Sequence, residues 1–585
     1  MRKRKVLLCY VRLRAPAGAL WEYTGLFYLA GALERNAYAP YVFHGSWMEL
    51  RAAVREIEPE VVGFSCDAEN QHFLQGLIPA VKRECLERQG AAPCVVVGGP
   101  QSCALGEAFL AATGADYILR GEGDDTLPAL LDCLFTQGGA AGALRAIPGL
   151  AWRDAAGAFH ETPGVGMVAD LDTLPRPAYH TSLHKRGYGR VIFSGRGCPF
   201  GCAFCASHVG HRSYRLRRMD DVLAEIRENL DRNPDIRYIM MQDDTFCTDP
   251  ARVRAFCAGM RGIRKTRPVV WFCETHVQTL LRDPPLLREM IDSGLVRLQI
   301  GMESGDPEVL RLYNKNITPS QVLHLTELAV ELGLPQIAGN FIVGGPRERE
   351  GLTEDFIRRL LRVGAGVVDL NTGFLRNYPF TAISRNPAAF GLTVTAEDDR
   401  TAGDDYPGVV PAGASEEAVV ALRQRLNRAI REEMGRCIEG KQIPLERVMA
   451  QYRLREEYGI ASRWTLELSA RGHIHEYYRT LYLGEGQPFD PEAPPEALYP
   501  QRTFEYYRGI LHTGGIARLF GTVLSPLEAD ILYRCAGKRS VSEIAADLWG
   551  KYREGYPALS GLQTAVMRFL ETADKRYWVT VFRFS

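Results

Sequence analysis

Residues 191–205 read VIFSGRGCPFGCAFC, a short apolar run that leads directly into a glycine-rich loop with three cysteines. Cys198, Cys202 and Cys205 have the spacing C-x3-C-x2-C. Thiolates are the ligands that iron–sulfur clusters select, and the glycines allow the loop to wrap closely around a compact object. Three thiolates on a four-iron cube leave one iron open, and an open metal position can chelate a substrate or a cofactor. The stretch therefore predicts a catalytic iron–sulfur site at the end of a strand.

A structural zinc site is the alternative interpretation of the same cysteines. Zinc in such sites takes four ligands, and His208 follows Cys205 closely enough to be the fourth. The C-x3-C-x2-C spacing directly after a strand is unusual for zinc, so we favour the iron–sulfur cluster.

Six candidate strands alternate with helical segments from residue 191 onward. They are Val191–Ser194, Tyr238–Met241, Val269–Cys273, Arg297–Ile300, Gly339–Val343 and Val367–Leu370. The clearest helix between them is Ser320–Leu332, with Thr318 as N-cap, Pro319 as the first helical residue and Gly333 as the stop. This alternation indicates an α/β fold with a parallel sheet, and six units predict a partial (β/α)6 barrel over residues 191–400.

Residues 1–145 show the same alternation of strands and helices. The candidate elements are Lys5–Tyr10, Gly25–Leu33, Val61–Ser65, Gly76–Glu87, Cys94–Val97, Leu105–Ala112 and Tyr117–Leu119. They predict a Rossmann-like open parallel sheet, and ligands of such sheets bind outside the carboxyl ends of the strands. The residues that fall at those ends are Ser65, Gly98, Gly99, Gly121, Glu122 and Gly123.

The rest of the chain divides into three predicted segments. Residues 146–190 contain four prolines and are expected to be an irregular linker, whereas residues 401–515 are charged and helical in pattern. In residues 516–585, Ser525 and Ser540 suit helix N-caps on either side of a turn at Gly537. With a third helix near Gly561–Ala573 and a strand-like end, this last segment predicts a small winged-helix-like domain.

The composition excludes several classes of protein. The 585 residues are 46% hydrophobic and 24% charged, which is ordinary for a globular chain. Lys+Arg and Asp+Glu are both 70, so a bulk electrostatic nucleic-acid binder is disfavoured. No apolar run reaches the length of about 20 residues that spans a membrane. Arg12 and Arg14 interrupt the apolar N-terminus, and fourteen cysteines are too few for a disulfide framework, so we expect a cytoplasmic protein.

The cysteine loop resembles the signature of radical S-adenosylmethionine (SAM) enzymes, C-x3-C-x-aromatic-C after the first barrel strand. Phe204 fills the aromatic position. The resemblance implies that Cys198, Cys202 and Cys205 bind a [4Fe–4S] cluster, whose open iron takes the amino and carboxylate groups of SAM. One-electron reduction then yields a 5′-deoxyadenosyl radical, with an electron donor such as flavodoxin or ferredoxin as the implied partner.

Three further motifs resemble those of the same family and occur in the family's order. The segment MQDDTF after the second strand resembles the one that receives the methionine amino group, which implies roles for Gln242, Asp243 and Asp244. GMESG resembles the motif after the fourth strand, so Glu303 or Ser304 would reach the ribose or carboxylate of SAM. FIVGGPRE resembles the fifth-strand motif, which implies that Val343 lies near the adenine.

The N-terminal domain resembles the cobalamin-binding domain that precedes many radical SAM barrels, through VVGFS, CVVVGGP and ADYILRGEGDDTL. The resemblance implies that the six residues at the strand ends line the site of the cobalamin tail. The D-x-H-x-x-G motif that supplies the lower histidine of cobalt is missing. His72 is the nearest histidine after a strand end, and a position on a helix surface is the favoured interpretation for it. We therefore expect cobalamin without a histidine ligand.

These features are similar to the cobalamin-dependent, class B methyltransferase-like radical SAM enzymes. C-methylation of an unactivated carbon is the favoured function, and cobalamin-dependent cyclisation or rearrangement is the alternative. A cobalamin sensor without chemistry is disfavoured because it needs no open iron. His276, at the end of the third strand, is a weak catalytic candidate, and a core position is its alternative.

The terminal segment offers a prediction about the substrate. It resembles the peptide-chaperone-like domains that capture leader peptides of ribosomally made natural products by adding a strand to a sheet edge. The expected substrate is such a peptide or another natural-product precursor, and a small molecule such as an amino acid is the alternative. A structural or dimerisation role for the segment also stays open, whereas DNA binding is disfavoured by its mixed charges.

Overall fold

The computed structural model describes residues 3–12, 23–184, 187–207, 213–349, 351–395, 406–513 and 515–582. The chain forms two compact units. The first comprises Met1–Ile357 with Leu370–Asn427, and the second comprises Arg358–Asp369 with Arg428–Ser585. Among the described helices, none combines the length and the apolar character needed to cross a membrane.

The N-terminal domain is built on one seven-stranded sheet. Its strands are β1 (Lys5–Val11), β2 (Ala39–Gly45), β3 (Val61–Ser65), β4 (Cys94–Gly98), β5 (Tyr117–Leu119), β6 (Leu150–Arg153) and β7 (Phe159–Glu161). Its helices are α1 (Thr24–Arg35), α2 (Trp47–Ile57), α3 (Phe73–Gln89), α4 (Glu107–Thr113), α5 (Thr126–Thr136) and α6 (Ala141–Leu144). The order is β2-β1-β3-β4-β5-β6-β7, with the first five strands parallel. The chain therefore reverses its direction of winding between β1 and β3, where ligands of open α/β sheets bind.

The predicted parallel sheet is confirmed, and two features of it were not predicted. The strand β2 and the helix α2 are absent from the expected elements. Pro40, Tyr41 and His44 interrupt the apolar run of β2, whereas the capping box of Ser46 and Glu49 at the start of α2 was overlooked. In the stretch 146–190, expected to be an irregular linker, β6 and β7 extend the sheet as antiparallel strands. The strand β6 has four residues and β7 has three, so neither is long enough to show a clear strand pattern in the sequence.

A second sheet forms the predicted partial barrel. The strands from here on are β8 (Gly189–Ile192), β9 (Gly195–Arg196), β10 (Arg215–Leu216), β11 (Tyr238–Met241), β12 (Val270–Thr275), β13 (Leu295–Glu303), β14 (Gln336–Val343) and β15 (Val368–Phe374). The helices are α7 (Met219–Arg232), α8 (Pro250–Arg264), α9 (Val277–Leu281), α10 (Pro284–Asp292), α11 (Pro307–Leu312), α12 (Pro319–Glu331), α13 (Leu352–Val363) and α14 (Ala382–Arg385). The sheet runs β15-β14-β13-β12-β11-β8, so six strands follow chain order and the barrel stays open between β8 and β15.

Local sequence explains where these elements start. The hydroxyl of Thr318 accepts a hydrogen bond from the Gln321 amide at 3.2 Å, and Pro319 is the first residue of α12, as predicted. On the outer face of β12, Trp271 packs edge-to-face against Phe256 of α8 at 4.9 Å. Helices with capped starts and apolar inner faces thus cover the outside of the sheet, and the strand ends are left to build the site.

The C-terminal part is helical and ends in a small mixed domain. Its elements begin with β16 (Leu392–Val394), β17 (Val409–Pro411), α15 (Glu416–Glu439), α16 (Leu445–Tyr458), α17 (Arg463–Ser469) and α18 (His473–Tyr482). They continue with β18 (Tyr499–Arg502), α19 (Tyr506–Gly509), β19 (Ile510–Thr513), β20 (Ile516–Leu519), β21 (Thr522–Leu524), α20 (Pro526–Arg534), α21 (Val541–Tyr552), α22 (Leu559–Lys575) and β22 (Val579–Phe582). Ser525 and Ser540 cap α20 and α21 as expected.

The terminal domain starts earlier than residue 516. Strands β19, β20 and β21 form an antiparallel sheet, and β22 pairs with β18. One apolar core joins Leu498 and Ile510 to Ile531, Leu548 and Val581. The three-helix pattern found in the sequence is therefore part of a larger fold that includes residues from about 499 onward.

Candidate active site

The three cysteines lie on the loop that follows β8 and β9. Cys198, Cys202 and Cys205 are all partly buried. Gly197 has a φ of +86°, and a Cβ there would meet the Ser213 carbonyl oxygen at 2.0 Å, so only glycine fits at this turn. Burial raises the pKa of the Cys198 thiol to about 11. Deprotonation of this thiol therefore depends on a bound metal.

Within the described residues, no three His, Cys, Asp or Glu side chains converge closely enough to chelate one ion. In a four-iron cluster each thiolate binds a different iron, so the thiols need not converge on one point. His208, the candidate fourth zinc ligand, lies outside the described residues.

His276 packs against the cysteine loop. Its ring stacks on Phe200 of the loop, with centroids 4.1 Å apart. Nδ1 accepts a hydrogen bond from the Gln278 amide at 3.3 Å, and Nε2 donates to the Lys315 carbonyl oxygen at 2.9 Å. Burial and the nearby Lys315 lower the pKa of His276 to about 4, so the ring is neutral. These contacts favour the core position for His276, which was the alternative to its weak catalytic assignment.

Phe204 and its neighbours attach the other side of the loop to the barrel. The ring of Phe204 packs edge-to-face on Tyr313, with centroids 4.9 Å apart. The amide of Ala203 donates to the Tyr313 carbonyl oxygen at 2.8 Å, and Asn314 donates to the Gly201 carbonyl oxygen at 2.8 Å. The segment after α11 therefore fixes the position of the cysteines.

The two aspartates after β11 differ in their surroundings. Gln242 and Asp244 line the large cavity described below. Asp243 is buried, and its carboxylate accepts hydrogen bonds from the amide of Ser194 at 2.6 Å and from the Ser194 hydroxyl. Burial raises the pKa of Asp243 to about 6. Asp243, expected at the methionine end of SAM, instead fixes the strand end that precedes the cysteine loop.

Glu303 is held beside the cysteine loop by a lysine that sequence reasoning missed. Its carboxylate lies 2.8 Å from Nζ of Lys315, and both side chains are buried. Glu303 has a φ of +59°, and a Cβ on Gly301 would meet its Oε1 at 2.0 Å. Burial lowers the pKa of Lys315, but Glu303 and the thiol of Cys202 outweigh burial and raise it. Gly301, the first glycine of the GMESG motif, therefore leaves room for the fixed carboxylate of Glu303.

Ser304 and Val343 are both buried. The Ser304 hydroxyl lies 3.2 Å from that of Thr353 and accepts a hydrogen bond from the Asp306 amide at 3.0 Å. Val343 ends β14. Of the pair proposed to reach SAM, Glu303 is thus the residue beside the cysteines, and Ser304 shapes the turn that follows.

A cavity of about 650 Å³ opens at the carboxyl ends of β1, β3, β4 and β5. All six residues predicted to contact cobalamin line it, namely Ser65, Gly98, Gly99, Gly121, Glu122 and Gly123. The barrel contributes further lining residues, namely Phe193, Gly195, Arg196, Gly197, Gln242 and Asp244. The cofactor edge of the N-terminal sheet and the start of the cysteine loop therefore share one cavity.

The lining of this cavity fits a large cofactor. Gly99 has a φ of +96°, and a Cβ there would lie 2.7 Å from the Cys66 amide nitrogen, so a larger residue would force the loops apart. Gly98 and Gly63 add small residues to the same wall. His72 precedes α3 and is not among the described lining residues. Glu122 directs its carboxylate to Arg215 at 3.0 Å, so only part of this residue is available to a ligand.

Two known domain families match the chain. The Radical SAM superfamily matches residues 192–360, and the B12 binding domain matches residues 12–131. An uncharacterised methyltransferase of Pyrococcus horikoshii is 26% identical over 352 residues, which cover 57% of this chain and 73% of that protein. The anaerobic magnesium-protoporphyrin IX monomethyl ester cyclase of Rubrivivax gelatinosus is 26% identical over 353 residues, 57% of this chain and 61% of the cyclase. The match therefore spans less than two thirds of the cyclase.

Two solved structures share the fold. The radical SAM methyltransferase TsrM of Kitasatospora setae, solved with cobalamin and a [4Fe–4S] cluster, has a TM-score of 0.53 at 19% identity, covering 68% of this chain and 78% of TsrM. The cobalamin-dependent SAM radical enzyme OxsB has a TM-score of 0.59 at 12% identity, covering 98% of this chain and 84% of OxsB. Residues 12–131 therefore form a B12 binding domain and residues 192–360 a radical SAM domain that share one cavity, and the cofactors of these two families are cobalamin, a [4Fe–4S] cluster and SAM.

Proposed function

We propose that this enzyme methylates an unactivated carbon. The observation that carries the proposal is the shared cavity, in which Ser65 and Gly99 of the cobalamin domain face the same space as Phe193 and Gln242 of the barrel. When bound, the cofactors supply the radical that removes a substrate hydrogen and the methyl group that replaces it. The chain's own contribution is to orient the groups, to exclude water and to keep Glu303 and Lys315 fixed beside the cysteines. The relatives and neighbours named as methyltransferases support this function.

The mass of the product separates methylation from the alternative. We expect holoenzyme prepared without oxygen, with a flavodoxin or ferredoxin as electron donor, to transfer a deuterated methyl group from labelled SAM to the substrate. Cyclisation removes hydrogens and leaves the label in the SAM products. The cyclase named among the relatives makes this the second candidate function. A product that has lost hydrogen and carries no label would overturn methylation.

The terminal domain supports a peptide as the substrate. Leu511 of β19, Arg518 of β20 and Val523 of β21 stand opposite one another in register on one face of the sheet. Leu511 is 64% exposed and Val523 is 53% exposed. The strands β19 and β21 lie at the two edges of this three-stranded sheet, where an extended peptide can add a strand. We infer that a ribosomally made precursor peptide docks on this face while another part of it enters the barrel.

Charged substitutions on this face test the peptide hypothesis without removing the domain. Leu511→Glu together with Val523→Glu should raise KM for the precursor peptide, while SAM cleavage without substrate stays at the wild-type rate. Leu466→Glu is the matched control, because Leu466 is 63% exposed on α17 of the same unit. An unchanged KM in the double variant would reject peptide docking here and favour a small substrate such as an amino acid.

A further inference from the structure

Four charged side chains form a buried network between the cobalamin domain and the cysteine loop. Asp124 accepts two hydrogen bonds from Arg196, at 2.8 and 3.2 Å. Glu122 accepts two from Arg215, at 3.0 Å from Nη1 and at 2.5 Å from Nη2, and its Oε2 lies 3.3 Å from Nη1 of Arg196. The side chains of these residues are between 5% and 18% exposed. Two positive and two negative charges are therefore enclosed together and balance one another.

The backbone positions of the four residues join the two cofactor sites. Glu122 and Asp124 belong to the loop after β5 that lines the cobalamin cavity. Arg196 ends β9, two residues before Cys198, and pairs across the β9–β10 hairpin with Arg215. The network thus connects the wall of one cofactor site to the segment that enters the other.

Further contacts fix the loop of Glu122 on its other side. Its carboxylate also accepts a hydrogen bond from the Val168 amide at 2.7 Å, and its own amide donates to the Gly166 carbonyl oxygen at 2.8 Å. A Cβ on Gly121 would meet the same carbonyl oxygen at 2.4 Å. Burial favours the neutral acid, but Arg215 and Arg196 outweigh it and hold the pKa of Glu122 below its usual value. Glu122 therefore acts as a fixed anion.

A buried network of this kind is rigid for a physical reason. The planar guanidinium of Arg196 forms two parallel hydrogen bonds to Asp124, which defines an orientation as well as a distance. Removing one partner leaves an uncompensated charge in a desolvated site, so the pair cannot separate without a large free-energy cost. Relative motion between the two loops is therefore opposed.

We propose that Glu122, Asp124, Arg196 and Arg215 are positioning residues that set the distance between cobalamin and the iron–sulfur cluster. This role requires only that cobalamin binds in the cavity and that the cluster binds at the cysteine loop. It does not depend on the identity of the substrate or on methyl transfer. None of the four residues is a cluster ligand. Their substitution should therefore disturb the geometry between the cofactors more than the loading of either one.

The distance between the cofactors can be measured directly in the holoenzyme. Electron paramagnetic resonance of the form with cobalt(II) and a reduced cluster reports the magnetic coupling between the two centres. Asp124→Asn should keep iron, sulfide and cobalamin near wild-type content but change this coupling. A misplacement of about 1 Å can slow a reaction about 100-fold, so turnover should fall by that order while SAM cleavage without substrate persists.

An exposed ion pair of the same barrel provides the control. Arg254 of α8 lies 2.9 Å from Asp283, and Arg254 is 38% exposed. Asp283→Asn should therefore leave the coupling unchanged. If Asp124→Asn does not load cobalamin, the magnetic coupling is measured instead in Arg215→Gln, which replaces the partner of Glu122 on β10. Wild-type coupling in a loaded network variant would overturn the proposal. Loss of cobalamin from every network variant would also overturn it, because the network would then be needed for cobalamin binding itself rather than for the distance between the cofactors.

Discussion

The side chains that fix the cysteine loop are as specific as the cysteines themselves. Phe200 is held by the ring of His276, and the thiol of Cys202 lies in the field of the Lys315 ammonium. Lys315 follows two residues with turn character and shows no motif of its own. Its importance comes from Glu303, which is twelve residues away in sequence and 2.8 Å away in space.

The three cysteines should be required for the cluster and dispensable for cobalamin. Replacing Cys198, Cys202 and Cys205 with Ala removes every thiolate of the loop, so we expect no bound iron or sulfide and no SAM cleavage. Cobalamin should still bind, because most of its cavity wall comes from the N-terminal sheet. Analysis of iron and sulfide measures the loss of the cluster, and the absorption spectrum measures the bound cobalamin.

Cys103 is the matched control for the triple variant. It is a partly buried cysteine of the cobalamin cavity outside the loop, so Cys103→Ala should retain the cluster. A triple variant that keeps iron and sulfide and still cleaves SAM would contradict the assignment of the cluster ligands.

Glu274 should make the stability of the barrel fall as the pH rises. Burial first, and Asp244 next, raise the pKa of this carboxyl from 4.5 to about 7. A group with a raised folded pKa contributes stability below its unfolded pKa, and that stability is lost as pH rises through the folded value. Glu274→Gln should thus raise stability at about pH 8 by up to about 3 kcal/mol, at about 1.4 kcal/mol per pKa unit, and have little effect at about pH 4.

Thermal unfolding of cofactor-free protein across this pH range measures the effect of Glu274. Gln can still accept the hydrogen bond that Gln299 donates to Glu274. Glu69→Gln is the control, because Glu69 is 64% exposed. Equal pH dependence in wild type and Glu274→Gln would show that Glu274 does not titrate in this range.

At the scale of elements, the ends of strands and helices determine what the cofactors contact. The loops after β3, β4 and β5 bring glycines to the cavity. The helix α3 starts at Phe73, directly after His72, so this histidine belongs to a helix start rather than to the cavity wall. Strand ends therefore supply much of the cavity wall, and His72 is not among its described lining residues.

Bound cobalamin should have no histidine on cobalt. The prediction rests on the missing D-x-H-x-x-G motif and on the position of His72 outside the described cavity lining. Electron paramagnetic resonance of the cobalt(II) form should show no nitrogen superhyperfine splitting. His160→Ala is a control, because His160 lies on β7. Splitting that disappears in His72→Ala would contradict the prediction and identify His72 as the ligand.

At the scale of the whole molecule, the terminal domain is integrated into the second unit. Nζ of Lys441 lies 2.8 Å from the Asp574 carboxylate of α22, and the Tyr477 hydroxyl donates to the same carboxylate at 2.8 Å. The strand β22 pairs with β18, which precedes the three-stranded sheet. The last residues therefore complete a structure that begins near residue 428.

A truncation after residue 515 should unfold this unit rather than only weaken substrate binding. The cut falls between β19 and β20, removes the partner of β18 and leaves Lys441 without Asp574. We expect a lower unfolding temperature and rapid proteolysis of residues 428–515. The full-length variant with Leu511→Glu should behave like wild type in both measurements. A truncated protein with the wild-type unfolding temperature would contradict this integration.

The sequence by itself determined the cysteine loop, the six-stranded barrel and the cobalamin edge of the first sheet. These features are local, because ligand spacing, strand and helix periodicity and capping residues such as Thr318 all act within a few residues of sequence. The glycines at 98, 99 and 121 were predictable for the same reason, since turns at strand ends require them.

Only the tertiary structure decided which polar side chains face the cofactors. Asp243 turns to Ser194 while Asp244 lines the cavity, and the sequence motif treats the two alike. Glu122 lines the cavity, and its carboxylate pairs with Arg215, 93 residues away. The direction of a side chain depends on the partner that distant strands bring to it, because a buried charge must find an opposite charge. No local pattern contains that information.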